Sequence, residues 1–491
     1  MNAMPIFPIM MLLAACAPVE WPDPPGERDS VTAVLFAAAS FLIPVISTLL
    51  LCHHFAKCLY EFPAYHRRYG RQYARGRRFV NALQVTVGVV AVVWGWGWFV
   101  QHRCLVTING ITALAPFAEL LVPMPFLTGV WATWLIQFDA MKAFHFAEAS
   151  PVPPGPFWTR WGFFLHRFRR FAFLVLMPVI VFAAYQSVQR FYPEEVRTPL
   201  VQVGICGLFV LLYLTYPLPA IPILGLKRIS NGKDRERLER VAKRLVFRCG
   251  GLMLWPTHNT SANAMVMGLL PRIRFVIFTD LLLSRFDDEE IEAVLGHEIG
   301  HVRHHHMLFY AAFLLLSMLV IVGFVAGIVE KAGWFPANEA APTWLAFPPL
   351  VLFGVYLFFM FGLVSRKCER QADLYGVQTV ADGRTEGHPL AAGVNAMTRA
   401  LEKVQALNRG DRVRTLPTTF LARTQSRLRD WTHGSIADRI AFLQRMFYEP
   451  ELAARFQRQI TLFRWLILVA LGFAVVALGQ WLGWRTLAGL L

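Results

Sequence analysis

The sequence predicts a mainly α, multi-pass helical membrane protein of about eight spans, carrying a small α+β domain on its cytoplasmic side. Three observations predict it. The chain has 491 residues, of which 56% are hydrophobic and only 16% charged, with a mean hydropathy of +0.44; a soluble domain carries about a quarter charged residues. The apolar residues gather in runs near the ~20 residues that a helix needs to cross the hydrocarbon core. The Lys and Arg of a chain with formal net charge +16 collect in alternate loops between those runs. That alternation marks cytoplasmic loops rather than a nucleic-acid surface, and no nucleic-acid partner is expected.

Residues 1–30 are expected to form an N-terminal extramembrane tail. Its apolar stretch at 6–15 runs into Leu13-Ala14-Ala15-Cys16. This matches a signal with a lipidated cysteine but lacks the preceding Lys or Arg that signal peptides normally carry. A lipidated Cys16 and a short, partly embedded tail both stay open. The runs long enough to span are 32–55, 80–100, 111–136, 171–189, 199–225, 307–329, 343–364 and 464–484. Five spans therefore fill 31–226, a two-span hairpin fills 307–364, and a final span lies in 464–491. The third run holds Pro116, Pro123, Pro125 and Glu119. An ionisable group inside a span reads either as functional or as an acid on a kinked helix facing water or a polar neighbour.

Loop charge sets the orientation. Residues 53–78 hold seven Lys or Arg, 101–110 hold only Arg103, 138–170 hold five, and 190–198 balance two Arg against two Glu. The alternation puts the N-terminus outside and leaves 227–306 and 365–463 in the cytoplasm, as for a multi-pass inner-membrane protein. The seven cysteines are odd in number and show no CxxC pair of metal-ligand spacing, so a disulfide framework is not expected and the soluble part suits a reducing compartment.

The first cytoplasmic segment opens with KRISNGKDRERLERVAKRLV, with Leu238, Val241 and Leu245 at helical spacing. Two strand-like runs follow, 263–269 and 274–282, with Pro271 between them as a reversal. Asp287 then caps a helix whose first turn holds Asp288, Glu289 and Glu290, where negative charge is favoured.

That helix reads IEAVLGHEIGHVRHHH. His297 and His301 are four residues apart, so one helical face offers two imidazoles to one ion. A single zinc ion per chain is the expected cofactor, since neutral imidazole is a good zinc ligand. Glu298 lies beside them without being a ligand, placed to act as base and acid on a water that the metal activates for attack on a carbonyl. His304, His305 and His306 read either as further metal-recruiting groups or, more simply, as a basic cluster where helix meets membrane. A third protein ligand is expected in SRKCERQADLYG, where Glu369 and Asp373 share one helix face. Glu369 ligates, and Asp373 accepts the outer N–H of a ligating histidine and fixes its tautomer. If the sixth and seventh runs form an antiparallel pair, His301 and Glu369 meet at one membrane surface.

Four blocks in this order, Asn263-Ala264 with Gly268 and RFVIFTDLLL, then HEIGH, then SRKCERQAD, then THGSIADRI, resemble the integral-membrane gluzincin metallopeptidases. That group contains the type I CAAX prenyl endopeptidases and the HtpX heat-shock membrane protease. The resemblance implies a zincin-like catalytic domain made of 227–306 and 365–463. It implies that the Asn263-Ala264 strand binds substrate backbone by strand addition, that His433 stabilises the developing oxyanion, and that Arg439 supports the site. The group's usual His-Pro is His433-Gly434 here, a departure from its pattern at that loop. Five spans before the motif resemble the prenyl endopeptidase plan, from which the eighth span departs. The implied activity is zinc-dependent endopeptidase action on membrane-associated polypeptides at the cytoplasmic face. CAAX-type prenyl-protein processing and membrane-protein quality control both stay open as its purpose. An inactive scaffold or transporter retaining the fold is the alternative, although a scaffold has no need of Glu298. Oligomeric state has no sequence signal.

Overall fold

The computed structural model describes residues 30–100, 103, 121–147, 157–196, 198–230, 232–331, 347–384, 388–409 and 433–484. Cys16, Glu119 and most of the third run's N-terminal half lie outside the described residues. The chain divides into two compact units, 1–226 with 257–259, and 227–256 with 260–491.

The first unit is helical. Ser30–Glu61 runs for 32 residues and packs on His66–Ala91 and Met124–Ala147 through Cys52, Phe55, Tyr73 and Ala140. Its outward face carries Val31, Leu35, Leu42, Ile46, Leu49 and Leu50, all exposed. A continuous exposed apolar face is costly in water and costs nothing in lipid. Several of the other apolar runs do not form one straight helix. Run 80–100 is interrupted by a π-turn at Val92–Trp96, where Gly95 takes φ 123°. Run 171–189 is divided at Ala172–Leu176 before the 15-residue helix Met177–Phe191. Pro199–Thr215 breaks before Pro217–Leu224, and the two pieces lie at 51°.

Among the described residues, three helices are long and apolar enough to cross a membrane, within Ser30–Glu61, His306–Val325 and Glu451–Trp481, or four if the bent pair is one span. The chain is thus an integral membrane protein. Prolines and π-turns interrupt several of the other runs, and parts of two runs are not described.

The second unit holds a four-stranded sheet of order β1-β2-β4-β3, with β1 Lys227–Arg228, β2 Gly251–Trp255, β3 Ala264–Met267 and β4 Phe275–Thr279. β2 and β4 are parallel, and the outer pairings are antiparallel. β3 and β4 are the two expected strands, joined through a 3-10 turn at Pro271–Ile273. β1 and β2 were not expected, because a two-residue strand and a five-residue apolar run carry no two-residue alternation of polarity to mark them. Every residue of β4 is buried, and β3 is an edge. The expected helix appears as Lys233–Arg244. Leu238 and Val241 join Val276, Phe278, Leu282, Ile291, Leu295 and Ile299 in one core between the sheet and the motif helix.

The motif helix, Asp288–Arg303, starts with a full capping box. Asp287 accepts from the Glu290 N–H, and the Glu290 carboxylate accepts from the Asp287 N–H. It ends at His304. The chain then turns through His305 in a left-handed conformation, φ 54°, and a new helix starts at His306. This helix, His306–Lys331, is packed by Phe347–Tyr356 and its π-turn Leu357–Phe361. Ser317 Oγ lies 3.0 Å from Tyr356 Oη, and the Tyr310 and Phe361 ring centroids are 5.0 Å apart. Rising numbers on one helix meet falling numbers on the other, so the pair is antiparallel. The second member continues into Gly362–Asp382, the ligand helix. Last comes Pro450–Leu482, 33 residues long. It buries Phe456 and Ile460 against Phe309, Phe313, Val364 and Cys368, and exposes Leu462, Trp465, Leu466, Val469 and Phe473 as a lipid-facing span would.

Candidate metal centre

Two helices build the centre, and glycines let them touch. A Cβ on Gly376 of the ligand helix would lie 2.6 Å from the carbonyl oxygen of Ala293 and 3.2 Å from the His297 nitrogen. A Cβ on Gly300 of the motif helix would lie 2.9 Å from Tyr375 Cβ and 3.1 Å from Ala372 Cα. Both obstacles include backbone, which cannot swing aside. Gly376→Ala is expected to force the helices apart, costing about 1–3 kcal/mol, and to loosen the centre between them. A lower Tm together with easier metal loss to chelator checks this; an unchanged Tm would show that the packing relaxes freely.

The contact brings together the groups read from the two motifs. His297, His301 and Glu369 form a group able to hold a metal ion. The two Nε2 atoms are 3.2 Å apart. His297 Nε2 is 3.7 Å from Glu369 Oε2, and His301 Nε2 is 3.7 Å from Glu369 Oε1. A tetrahedral ion with bonds of about 2.0–2.1 Å separates its ligands by roughly 3.3 Å. The donor set and its spacing therefore fit zinc, with one vertex left for a reactant. His297 and Glu369 are buried and His301 is nearly so.

Charge is neutralised locally. Asp373 is fully buried; its Oδ1 lies 2.9 Å from His297 Nδ1. Arg439, from the helix Ile436–Tyr448, grips Asp373 with two nitrogens at 2.7 and 2.5 Å. Its third nitrogen is 3.2 Å from Glu369 Oε2. One buried guanidinium thus serves both Asp373 and Glu369. His433, placed just before that helix, sets Nδ1 2.9 Å from Glu369 Oε1.

The titration directions follow. Burial alone would raise Glu369, but the charges of His433 and Arg439 hold it well below the usual carboxylate range. Burial would raise Asp373 as well, and the charge and hydrogen bonds of Arg439 reverse this and lower it. Burial lowers His297, yet Asp373 and Glu369 outweigh it and its pKa ends raised. Burial pushes His301 down to about 4 against the pull of Glu369, which favours the neutral ring that a metal requires. The Glu369 charge raises His433. Burial raises Glu298.

Glu298 stands outside the ligand group. Its Oε2 accepts the Val266 N–H at 3.0 Å. Val266 belongs to β3, whose outer edge has no strand partner among the described residues. Asn263 is occupied within the sheet: its N–H donates to Thr279 Oγ1 at 2.9 Å, and its C=O accepts the Thr279 N–H at 3.0 Å. Antiparallel alternation then turns the backbone of Ala264 and Val266 to the free edge. Of the two residues expected to meet substrate, Ala264 offers backbone there and Asn263 does not. Val266 went unread because strand phase is set by pairing and not by composition.

The structure also brings in three residues that the sequence reading missed. His306 is fully buried, with Nδ1 2.9 Å from His301 Nδ1 and Nε2 2.9 Å from Gln371 Oε1. Gln371 in turn donates to Gln457. The reading of His304–His306 as a boundary cluster therefore fails for His306. Its cause is the left-handed turn at His305, which ends the helix on which the periodic reading relied.

The site lies within the part of the chain that known proteins match. Residues 233–446 match the family model described as Peptidase family M48. The chain is 24% identical over 328 residues, 61% of its length and 72% of the relative's, to a CAAX prenyl protease 1 homolog of Arabidopsis thaliana. It is 30% identical over 177 residues to Protease HtpX of Xylella fastidiosa (strain 9a5c), covering 34% of this chain and 54% of that protein. Its fold is similar to the crystal structure of S. mikatae Ste24p, with TM-score 0.55 and 16% identity over 85% of this chain and 100% of that one. The resemblance read from the four blocks holds: the chain is similar to membrane metallopeptidases of family M48.

Proposed function

From this similarity to M48 membrane peptidases, we propose that the protein is a zinc-dependent endopeptidase cutting membrane-associated polypeptides at the cytoplasmic membrane face. The observation that carries it is the buried His297, His301 and Glu369 group, with Glu298 held beside it by an edge strand. In this reading 227–306 and 365–463 make the catalytic domain, 31–226 a five-span membrane region and 307–364 a two-span hairpin. The cytoplasmic side follows from the alternation of loop charge.

His297 and His301 through Nε2, and one oxygen of Glu369, would hold zinc; Asp373 fixes the His297 ring. Zinc supplies Lewis acidity, polarising the scissile carbonyl and lowering the pKa of water to near neutrality. A substrate strand adds to the outer edge of β3, where Ala264 and the Val266 C=O offer backbone groups while the Val266 N–H holds Glu298. Glu298 takes the proton from the attacking water and delivers it to the leaving amine. His433, whose pKa the Glu369 charge raises, donates a hydrogen bond to the oxygen that gains negative charge.

The test is metal content and cleavage of an unfolded polypeptide such as casein by purified protein, with and without chelator. One zinc per chain and chelator-sensitive cleavage are expected. Glu369→Ala should lower zinc occupancy; unchanged metal content would remove it as a ligand. Absence of both metal and cleavage in the native chain would favour a scaffold. Paired assays with a farnesylated C-terminal peptide and an unprenylated membrane protein separate the substrate classes that the relatives' names suggest.

A further inference from the structure

The two histidines of the motif are supported differently. His297 Nδ1 faces the Asp373 carboxylate. His301 Nδ1 faces another imidazole, that of His306, at 2.9 Å. His306 Nε2 is 2.9 Å from Gln371 Oε1, and the Gln371 amide nitrogen donates to Gln457 Oε1 at 2.5 Å. His306 is 0% and Gln371 1% exposed. Gln457 sits on Pro450–Leu482, the apolar helix that ends the described chain.

This chain of contacts has one consistent polarity. A cation on His301 Nε2 takes that nitrogen's lone pair, so the neutral ring carries its proton on Nδ1. His301 then donates to His306 Nδ1. His306 must hold its own proton on Nε2 and donate it to Gln371 Oε1. Gln371 then presents its NH2 group, and Gln457 closes the chain as acceptor. Each neutral group has one donor and one acceptor where the next requires it. Reversing any link would place two donors or two acceptors face to face in a buried site.

We infer that His306, Gln371 and Gln457 are positioning residues that fix the tautomer and orientation of His301, so that the C-terminal membrane helix completes the metal centre without touching the metal. The inference rests on the reading of His297, His301 and Glu369 as metal ligands. Outer partners of ligating histidines set ring direction and ligand strength, and their loss weakens metal binding. Here that support crosses three helices, two of which, His306–Lys331 and Pro450–Leu482, contain candidate spans. A shift of the C-terminal helix would be felt at His301.

The experiment uses the full-length protein in detergent. Zinc affinity is measured by chelator competition, and Co2+ is substituted so that its d–d absorption reports ligand geometry. His306→Ala should weaken zinc binding by about 10–100-fold and shift the cobalt band. Gln457→Met removes the last acceptor and should change both readouts in the same direction by less. Gln457→Glu keeps an acceptor and offers no donor, so it should retain the wild-type affinity and spectrum. Gln457→Met and Gln457→Glu behaving alike, whether both weak or both unchanged, would overturn the relay. Should His306→Ala not fold, the Gln457 pair decides, since that side chain is partly exposed. Failure of the wild type to bind zinc would instead remove the ligand reading on which the relay stands.

Discussion

Glu298→Gln keeps its zinc and loses about 10²–10⁴-fold in peptide cleavage, the usual share of a positioned acid–base group. The substitution is nearly isosteric. Its amide oxygen can still accept the Val266 N–H, so β3 and the motif helix should stay in place. The ligand atoms of His297, His301 and Glu369 are untouched. What is lost is the ability to take a proton from water and return it to the amine. Metal analysis and a cleavage assay on the same preparation check both halves. Full activity with full metal would sink the mechanism, whereas loss of metal would move Glu298 from the chemistry to the structure.

Arg439→Ala should be the most damaging change to stability near the site. Asp373 is 0% and Glu369 4% exposed, and Arg439 reaches both. Removing the guanidinium leaves two buried carboxylates without the cation they share. Breaking a buried pair from one side costs about 3–5 kcal/mol. Metal loss is expected alongside, because Asp373 orients His297 and Glu369 is itself a donor. Arg439→Lys should rescue little, since an ammonium cannot fork across two oxygens of Asp373 and still reach Glu369. Thermal melting in detergent with and without added zinc measures the effect. A loss below about 1 kcal/mol would show that the carboxylates reach water once the arginine is gone.

These two variants mark how far the chain alone could be read. Glu298 was legible because its chemistry is local: two histidines four apart fix a helix face, and the residue between them has few roles. Asp287 and Glu290 were legible for the same reason, as a cap and its first turn. Glu369 and Asp373 needed one step more, the guess that two apolar runs return the chain to the same membrane surface; the contacts of Ser317 with Tyr356 and Tyr310 with Phe361 show that pairing. Arg439 was known only through resemblance. Its grip on two carboxylates 66 and 70 positions earlier has no local signature. Apolar length does not reveal where a π-turn or a proline interrupts a run.

By itself, then, the sequence determined the membrane setting, the helix that carries the histidines, and the type of donor that could complete a zinc site. Periodicity, capping and run length act within a few residues, so they survive in a linear reading. Only the tertiary structure decided that glycines at 300 and 376 bring two helices into contact, that Val266 holds Glu298, and that His306, Gln371 and Gln457 stand behind His301. The last of these depend on a left-handed turn at His305 and on the return of the last helix, and each contact joins residues whose separation in the chain says nothing about their distance in space.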